Sequence, residues 1–156
     1  MPQTETARDA AAVRFPPPLI FVGFLLLGLM ADWWPALPPL TIPWWFGAPI
    51  TAAGLIVLAM AVGVFRRAGE DPTPWTSSTQ VIDTGLYART RNPMYLGMAI
   101  TMAGLAIVLA TMTALLLTFA AVAVVGRTVI AREERYLEAN FGAGYRDYMA
   151  RVRRWL

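Results

Sequence analysis

The 156-residue sequence predicts an all-α integral membrane protein with about four transmembrane helices. The last two form a tight C-terminal helical hairpin, and an interfacial cytoplasmic helix follows them. Three observations carry this fold class. Hydrophobic residues make up 57% of the chain, above the roughly 45–50% of soluble domains. Charge is confined, so that Pro16 to Trp33 holds only Asp32, and neither Ile42 to Phe65 nor Asn92 to Gly126 holds any. A soluble helix keeps a solvated face, which uncharged stretches of this length do not supply. Finally, the basic residues are all arginines and gather beside the apolar runs, as juxtamembrane charge does.

Residues 1–15 are polar and alanine-rich and read as a flexible N-terminal segment without the basic start and cleavage site of a signal peptide. Residues 16–156 read as a single membrane domain. Pro16-Pro17-Pro18 opens a first span over 19–34, because proline is tolerated in the first turn of a helix. Asp32-Trp33-Trp34 is its exit at the lipid headgroups, where tryptophan is enriched. A proline-rich connector, Pro35 to Pro43, and the aromatic Trp44-Trp45-Phe46 lead to a second span over 49–65 that ends at Arg66-Arg67. The polar loop from Ala68 to Arg91, with Pro72 and Pro74, is long enough to carry function.

The run from Pro93 to Gly126 would reach about 50 Å as one helix, against a hydrocarbon core of about 30 Å. It therefore divides into spans at 94–110 and 113–127, with a break near Ala110 to Thr113 that no Pro or Gly marks. A charged helical segment, 128–156, completes the chain at the membrane surface. Arginines occupy the loop between the second and third spans and the C-terminal tail, while the first connector and the hairpin turn hold none. The positive-inside rule then puts both termini in the cytoplasm, in a prokaryotic inner membrane. No internal repeat stands out.

Composition also limits the chemistry. The chain has no cysteine and no histidine, which removes disulfides, thiolate metal sites, the usual general base and the commonest metal ligand. No metal site and no nucleic-acid partner is expected, and membrane lipids account for the arginines.

Two polar clusters flank the hairpin. Gly85-Leu86-Tyr87 and Arg91-Asn92-Pro93-Met94-Tyr95-Leu96-Gly97 precede it, and Arg127 through Glu134 with Phe141-Gly142-Ala143-Gly144-Tyr145 follow it. A hairpin returns its second end beside its first, so the clusters should meet. Pro93 suits a first helical turn, whose free N–H groups attract an anion, and Gly97 allows close approach of a ligand or a second helix. Arg127, Ala131, Glu134 and Glu138 recur at helical spacing, so Arg127 and Glu134 could hold the two ends of a zwitterion. The blander alternatives are an ordinary span start with Tyr95 as interfacial anchor, and Glu133-Glu134 as a solvated pair with Arg132 and Arg135.

The order and spacing of these motifs resemble the isoprenylcysteine carboxyl methyltransferase and phospholipid methyltransferase superfamily. The resemblance rests on Gly85-Leu86-Tyr87, Arg91 to Gly97, Glu133-Glu134, Phe141-Gly142-Ala143-Gly144-Tyr145-Arg146-Asp147-Tyr148 and Arg151-Val152, and covers roughly Gly69 to the end. Leu86 and Asn92 depart from it, standing where proline and histidine are usual. What it implies is a membrane methyltransferase that moves a methyl group from S-adenosylmethionine to a lipophilic acceptor, carboxylate or amine, at the cytoplasmic interface. Under that resemblance Tyr87, Arg91, Asn92, Pro93, Tyr95 and Gly97 would line the cofactor pocket, and Glu133 and Glu134 would bind its polar end. Arg127 and Glu134 would be the catalytic pair. The other readings are an NADPH-dependent membrane reductase of the sterol-reductase type, and a non-enzymatic small membrane protein.

Overall fold

Apolar sequence becomes helix throughout the computed structural model, which describes residues 16–31, 37–71 and 79–156. In chain order these hold α1 (Pro17–Ala31), α2 (Trp44–Arg67), a short 3₁₀ turn (Gly85–Ala88), α3 (Pro93–Val108), α4 (Met112–Val125), a π turn (Gly126–Ile130), α5 (Ala131–Phe141) and α6 (Ala143–Arg151). The described residues contain no strand. The N-terminal segment 1–15, the exit Asp32-Trp33-Trp34 and the loop prolines Pro72 and Pro74 lie outside the described residues.

Two helical stretches are long and apolar enough to cross a membrane, Trp44–Arg67 and the continuous rod Met112–Phe141. Pro17–Ala31 and Pro93–Val108 are equally apolar but shorter, at 15 and 16 residues. α2 starts at Trp44, earlier than the expected Pro49, so Trp44-Trp45-Phe46 forms its first turn. Pro49 sits just inside, where its missing N–H forfeits a single backbone bond. At the other end Gly69, with φ +75°, ends the helix: its N–H bonds Arg66 O and the Glu70 N–H bonds Phe65 O.

The hairpin turn is built the same way without a glycine. The Thr111 N–H reaches Ala106 O at 2.9 Å and the Ala110 N–H reaches Ile107 O at 3.0 Å, with Ala110 at φ +54°. This left-handed cap is what separates α3 from α4, and alanine in that position leaves no mark in sequence. The Leu40 N–H bonds Ala110 O at 3.1 Å, which ties the first connector to the turn.

α2 and α3 run antiparallel and, among the described elements, pack most closely, through an eight-residue repeat that both helices carry. Gly47-Ala48-Pro49-Ile50-Thr51-Ala52-Ala53-Gly54 and Gly97-Met98-Ala99-Ile100-Thr101-Met102-Ala103-Gly104 share Gly, Ile, Thr, Ala and Gly at matching places. A methyl group on Gly97 would stand 2.8 Å from Leu58 N and 2.9 Å from Gly54 O, and one on Gly47 would stand 2.6 Å from Gly104 O. Gly54 likewise faces Thr101, and Gly104 faces Thr51. The threonine hydroxyls fold back on their own helices, Thr51 to Gly47 O and Thr101 to Gly97 O. The repeat is thus self-complementary in antiparallel register, and small residues bring the backbones together. On the other side α1 packs chiefly on α4, and α4 on α3.

Candidate functional site

The hairpin returns its two ends to one place, and the residues there are joined by a connected set of hydrogen bonds. Arg91, just before α3, sends its guanidinium to Glu134 on α5, with Nη2 2.9 Å and Nε 3.1 Å from Oε1. Its Nη1 donates to the carbonyls of Met149 and Val152 at 3.0 and 3.1 Å. Arg154 forms a second ion pair with Glu134 and donates from Nε to Oε1 at 3.2 Å. A carboxylate can accept this many bonds because each oxygen carries two lone pairs. Glu134 is buried, at 8% exposure, which excludes the solvated surface pair as an account of it.

The C-terminal tail clasps the same segment through backbone groups. The Arg91 N–H donates to Arg153 O at 2.9 Å. The Thr90 hydroxyl and the Asn92 amide both donate to Arg154 O, at 3.2 and 3.0 Å. Asn92 therefore precedes α3 with its side chain turned to the tail. Pro93 occupies the first position of the helix and is buried. Tyr148 on α6 donates to Tyr87 O at 2.8 Å, and the Tyr87 ring packs on Phe65 of α2. Gly142, at φ +53°, breaks α5 from α6 so that Tyr145 and Tyr148 turn inward over Val152. Burial pushes the hydroxyls of Tyr87, Tyr145 and Tyr148 well above the usual phenol range, so they remain neutral donors.

Glu133 is treated differently from its neighbour. Its side chain accepts from the Tyr95 hydroxyl at 2.6 Å, the single hydrogen bond that α3 makes to it. Glu133 lies beyond the apolar stretch Met112–Gly126, in the charged part of the rod. Burial pushes its carboxyl up to about 7, the Tyr95 hydrogen bond pulls it down, and the adjacent Glu134 adds a smaller upward push. Glu133 is thus a half-buried carboxylate whose hydrogen bond from α3 comes from a neutral donor.

The sequence expectations divide accordingly. Tyr87, Arg91, Asn92, Pro93, Tyr95, Glu133 and Glu134 are brought together. Gly97 is not among them, because two residues from Tyr95 is about 200° of helical rotation, and it faces Gly54 and Leu58 of α2. Arg127 does not share a face with Glu134. The π turn inserts the equivalent of one residue, about 100°, between them, leaving Arg127 exposed while Glu134 is buried. Tyr148, from the Phe141–Tyr148 motif, joins the cluster, and Arg154 and Thr90, which no motif marks, complete it. Nothing in the pattern distinguishes Arg154 from the other tail arginines until the tail is folded against Thr90 and Asn92.

Among the described residues no group of carboxylates is placed to hold a metal ion.

Comparison with known proteins agrees with the motif pattern. The family described as phospholipid methyltransferase matches the chain over residues 44–144. An uncharacterized protein of Haemophilus influenzae is 58% identical over 33 residues, which is 21% of this chain and 52% of that protein. The chain thus matches about half the length of that relative. No solved structure matches.

Proposed function

Because the chain belongs to the phospholipid methyltransferase family, we propose that it is a four-span inner-membrane enzyme that methylates a lipophilic acceptor at the cytoplasmic interface, with S-adenosylmethionine as donor. The observation that carries this reading is the joining of Tyr95 to Glu133 and of Arg91 and Arg154 to Glu134 across the ends of one hairpin. The cofactor supplies, when bound, a methyl group activated on a sulfonium sulfur. The family match supports methyl transfer over nicotinamide-dependent reduction.

The chain's own residues then have separate tasks. Glu133 would receive the ammonium of the cofactor, and Tyr95 holds the Glu133 carboxylate in place through the 2.6 Å hydrogen bond. Glu134 is neutralised by two arginines, so it positions Arg91 and the tail. Arg91 and the Asn92-Pro93 start of α3 border the site where the cofactor's carboxylate would lie. Arg127, exposed at the π turn, is free to meet an anionic acceptor group from the membrane side. Alignment of donor and acceptor does most of what such a transfer needs, since well-oriented groups reach effective molarities of about 10⁵ M or more.

The test is titration of S-adenosylmethionine into purified protein in nanodiscs, with NADPH as the competing ligand. Saturable binding that NADPH does not displace, and that Glu133→Gln weakens, is the expected result. Binding of NADPH alone would replace this reading with the reductase one.

A further inference from the structure

The rod Met112–Phe141 contains no proline, yet it is not a regular helix. Between Gly126 and Ile130 its backbone widens into a π turn, which absorbs one residue more than an α-helix of the same path would. Such turns are rare and are found mostly at functional sites. The extra residue rotates everything beyond it by about 100°. In a regular helix Glu133 would stand where Glu134 stands, and Arg132 where Glu133 stands. The turn thus decides which carboxylate meets Arg91 and which meets Tyr95.

Two consecutive residues of the C-terminal tail grip the rod on either side of this turn. At its start, a methyl group on Gly126 would stand 3.8 Å from Trp155 Cζ2, and the Trp155 ring packs on the apolar cluster that holds Val125, Val129 and Ile130. Beyond the turn, Arg154 pairs with Glu134. The tail itself leaves α6 in extended conformation, with Val152 at φ −119° and ψ 131°, so its path is set by what it touches. Its backbone is anchored on the segment before α3. Arg153 O accepts from the Arg91 N–H at 2.9 Å, and Arg154 O accepts from the Thr90 hydroxyl and the Asn92 amide. Val129 and Ile130 are buried, whereas Arg127 and Thr128 are exposed, so Trp155 meets the turn on its inner side.

We propose that the C-terminal tail holds the π turn in place, so that Trp155 and Arg154 are positioning residues that set which face of α5 the candidate site receives. With the tail docked, the Trp155 ring rests against the turn, and Arg154 meets Glu134 as only this rotation allows. With the tail released, the turn closes into regular helix and the rod beyond it rotates by about 100°. Glu133 then comes to Arg91, and Arg132 to the Tyr95 hydroxyl. The consequence for the cofactor rests on the methyltransferase reading above: the released form has no carboxylate beside Tyr95 to meet the ammonium.

The test is a change of partner, read by thermal unfolding of the full chain in detergent. In the parent, Arg91→Met and Glu134→Gln should be strongly coupled in a double-mutant cycle, and Arg91→Met and Glu133→Gln nearly additive. In a Trp155→Ala background the two results should exchange. Deleting Thr128, an exposed residue of the turn, removes the extra residue and leaves the rod beyond it at its present rotation. That deletion should return the Trp155→Ala protein to the parent pattern, which it could not do if the ring merely added apolar packing. Leu156→Ala, beside Trp155 and 75% exposed, should change nothing. Continued coupling of Arg91 to Glu134 in Trp155→Ala overturns the proposal, and so does a Thr128 deletion that leaves the exchanged pattern in place. Should Trp155→Ala not fold, the same deletion should restore folding, and its failure to do so is equally fatal. Titration of S-adenosylmethionine separates the proposal from the functional reading. Trp155→Ala should bind at least about tenfold more weakly, as loss of one charged hydrogen bond implies, and the Thr128 deletion should recover the affinity. Unchanged affinity in Trp155→Ala removes the positioning role. If the partners exchange but the parent binds no S-adenosylmethionine, the tail's hold on the turn stands and the methyltransferase reading falls.

Discussion

Arg91 and Glu134, 43 residues apart in sequence, meet with Nη2 2.9 Å from Oε1, and their side chains are only 12% and 10% exposed. The pair is buried, and Arg154 shares the same carboxylate. Removing one member of such a pair strands the other, which costs about 3–5 kcal/mol, whereas replacing both by apolar residues costs far less. Glu134→Gln is therefore expected to lower thermal stability in detergent by about 3 kcal/mol. Arg91→Met with Glu134→Met should recover much of that loss. A Glu134→Gln protein as stable as the parent would remove the ion pair from the framework.

The neighbouring Glu133 gives a pH dependence with a definite sign. Its folded carboxyl is raised to about 7 from an ordinary value of 4.5. The folded state thus holds the proton more tightly than the unfolded state does, so this group's contribution is complete below pH 4.5 and is lost as pH rises through 7. Binding of a cationic group has the opposite slope, because it needs the ionised form. Affinity for S-adenosylmethionine should rise by up to about tenfold per pH unit between pH 5.5 and 7 and then level off. Glu133→Gln should bind weakly at every pH. A wild-type affinity flat across this range would show that Glu133 does not meet the ammonium.

The α2–α3 contact predicts a contrast between glycines. Gly97→Ala puts a methyl group 2.8 Å from the Leu58 backbone, where nothing flexible can yield. Overpacking of this kind costs about 1–3 kcal/mol. Gly23→Ala in α1, where no atom lies within 4 Å, should instead be neutral or stabilising by about 0.5–1 kcal/mol. Thermal unfolding of the two variants side by side checks this. Equal effects would mean that the helices are not in close contact.

Ala110 predicts a gain. At φ +54° an L-residue is strained, and the left-handed conformation costs about 1 kcal/mol that glycine does not incur. Ala110→Gly should therefore raise the melting temperature while leaving cofactor affinity unchanged, since the turn lies at the far end of the hairpin from Arg91. A lowered melting temperature would show that the turn adopts another conformation.

Residue pattern alone establishes that the chain is helical and apolar, that its later part is a hairpin, and that two polar motifs lie at the hairpin's ends. These follow from local rules: uncharged runs, arginines at their ends, and a run too long for one crossing. It could not assign the partners. Whether Glu133 or Glu134 is neutralised depends on which side of α5 meets Arg91, and the π turn at Gly126–Ile130 sets that rotation. The same turn separated Arg127 from Glu134, although their spacing of seven puts them on one face of a regular helix. Gly97 likewise sits in the motif beside Tyr95 yet serves the contact with α2, because neighbours in sequence point in different directions around a helix. Arg154 acquired its place only when the tail folded against Thr90 and Asn92. Periodicity fixes which residues share an element, but the rotation of each helix and the path of the tail are set by packing between elements, and packing decided the site.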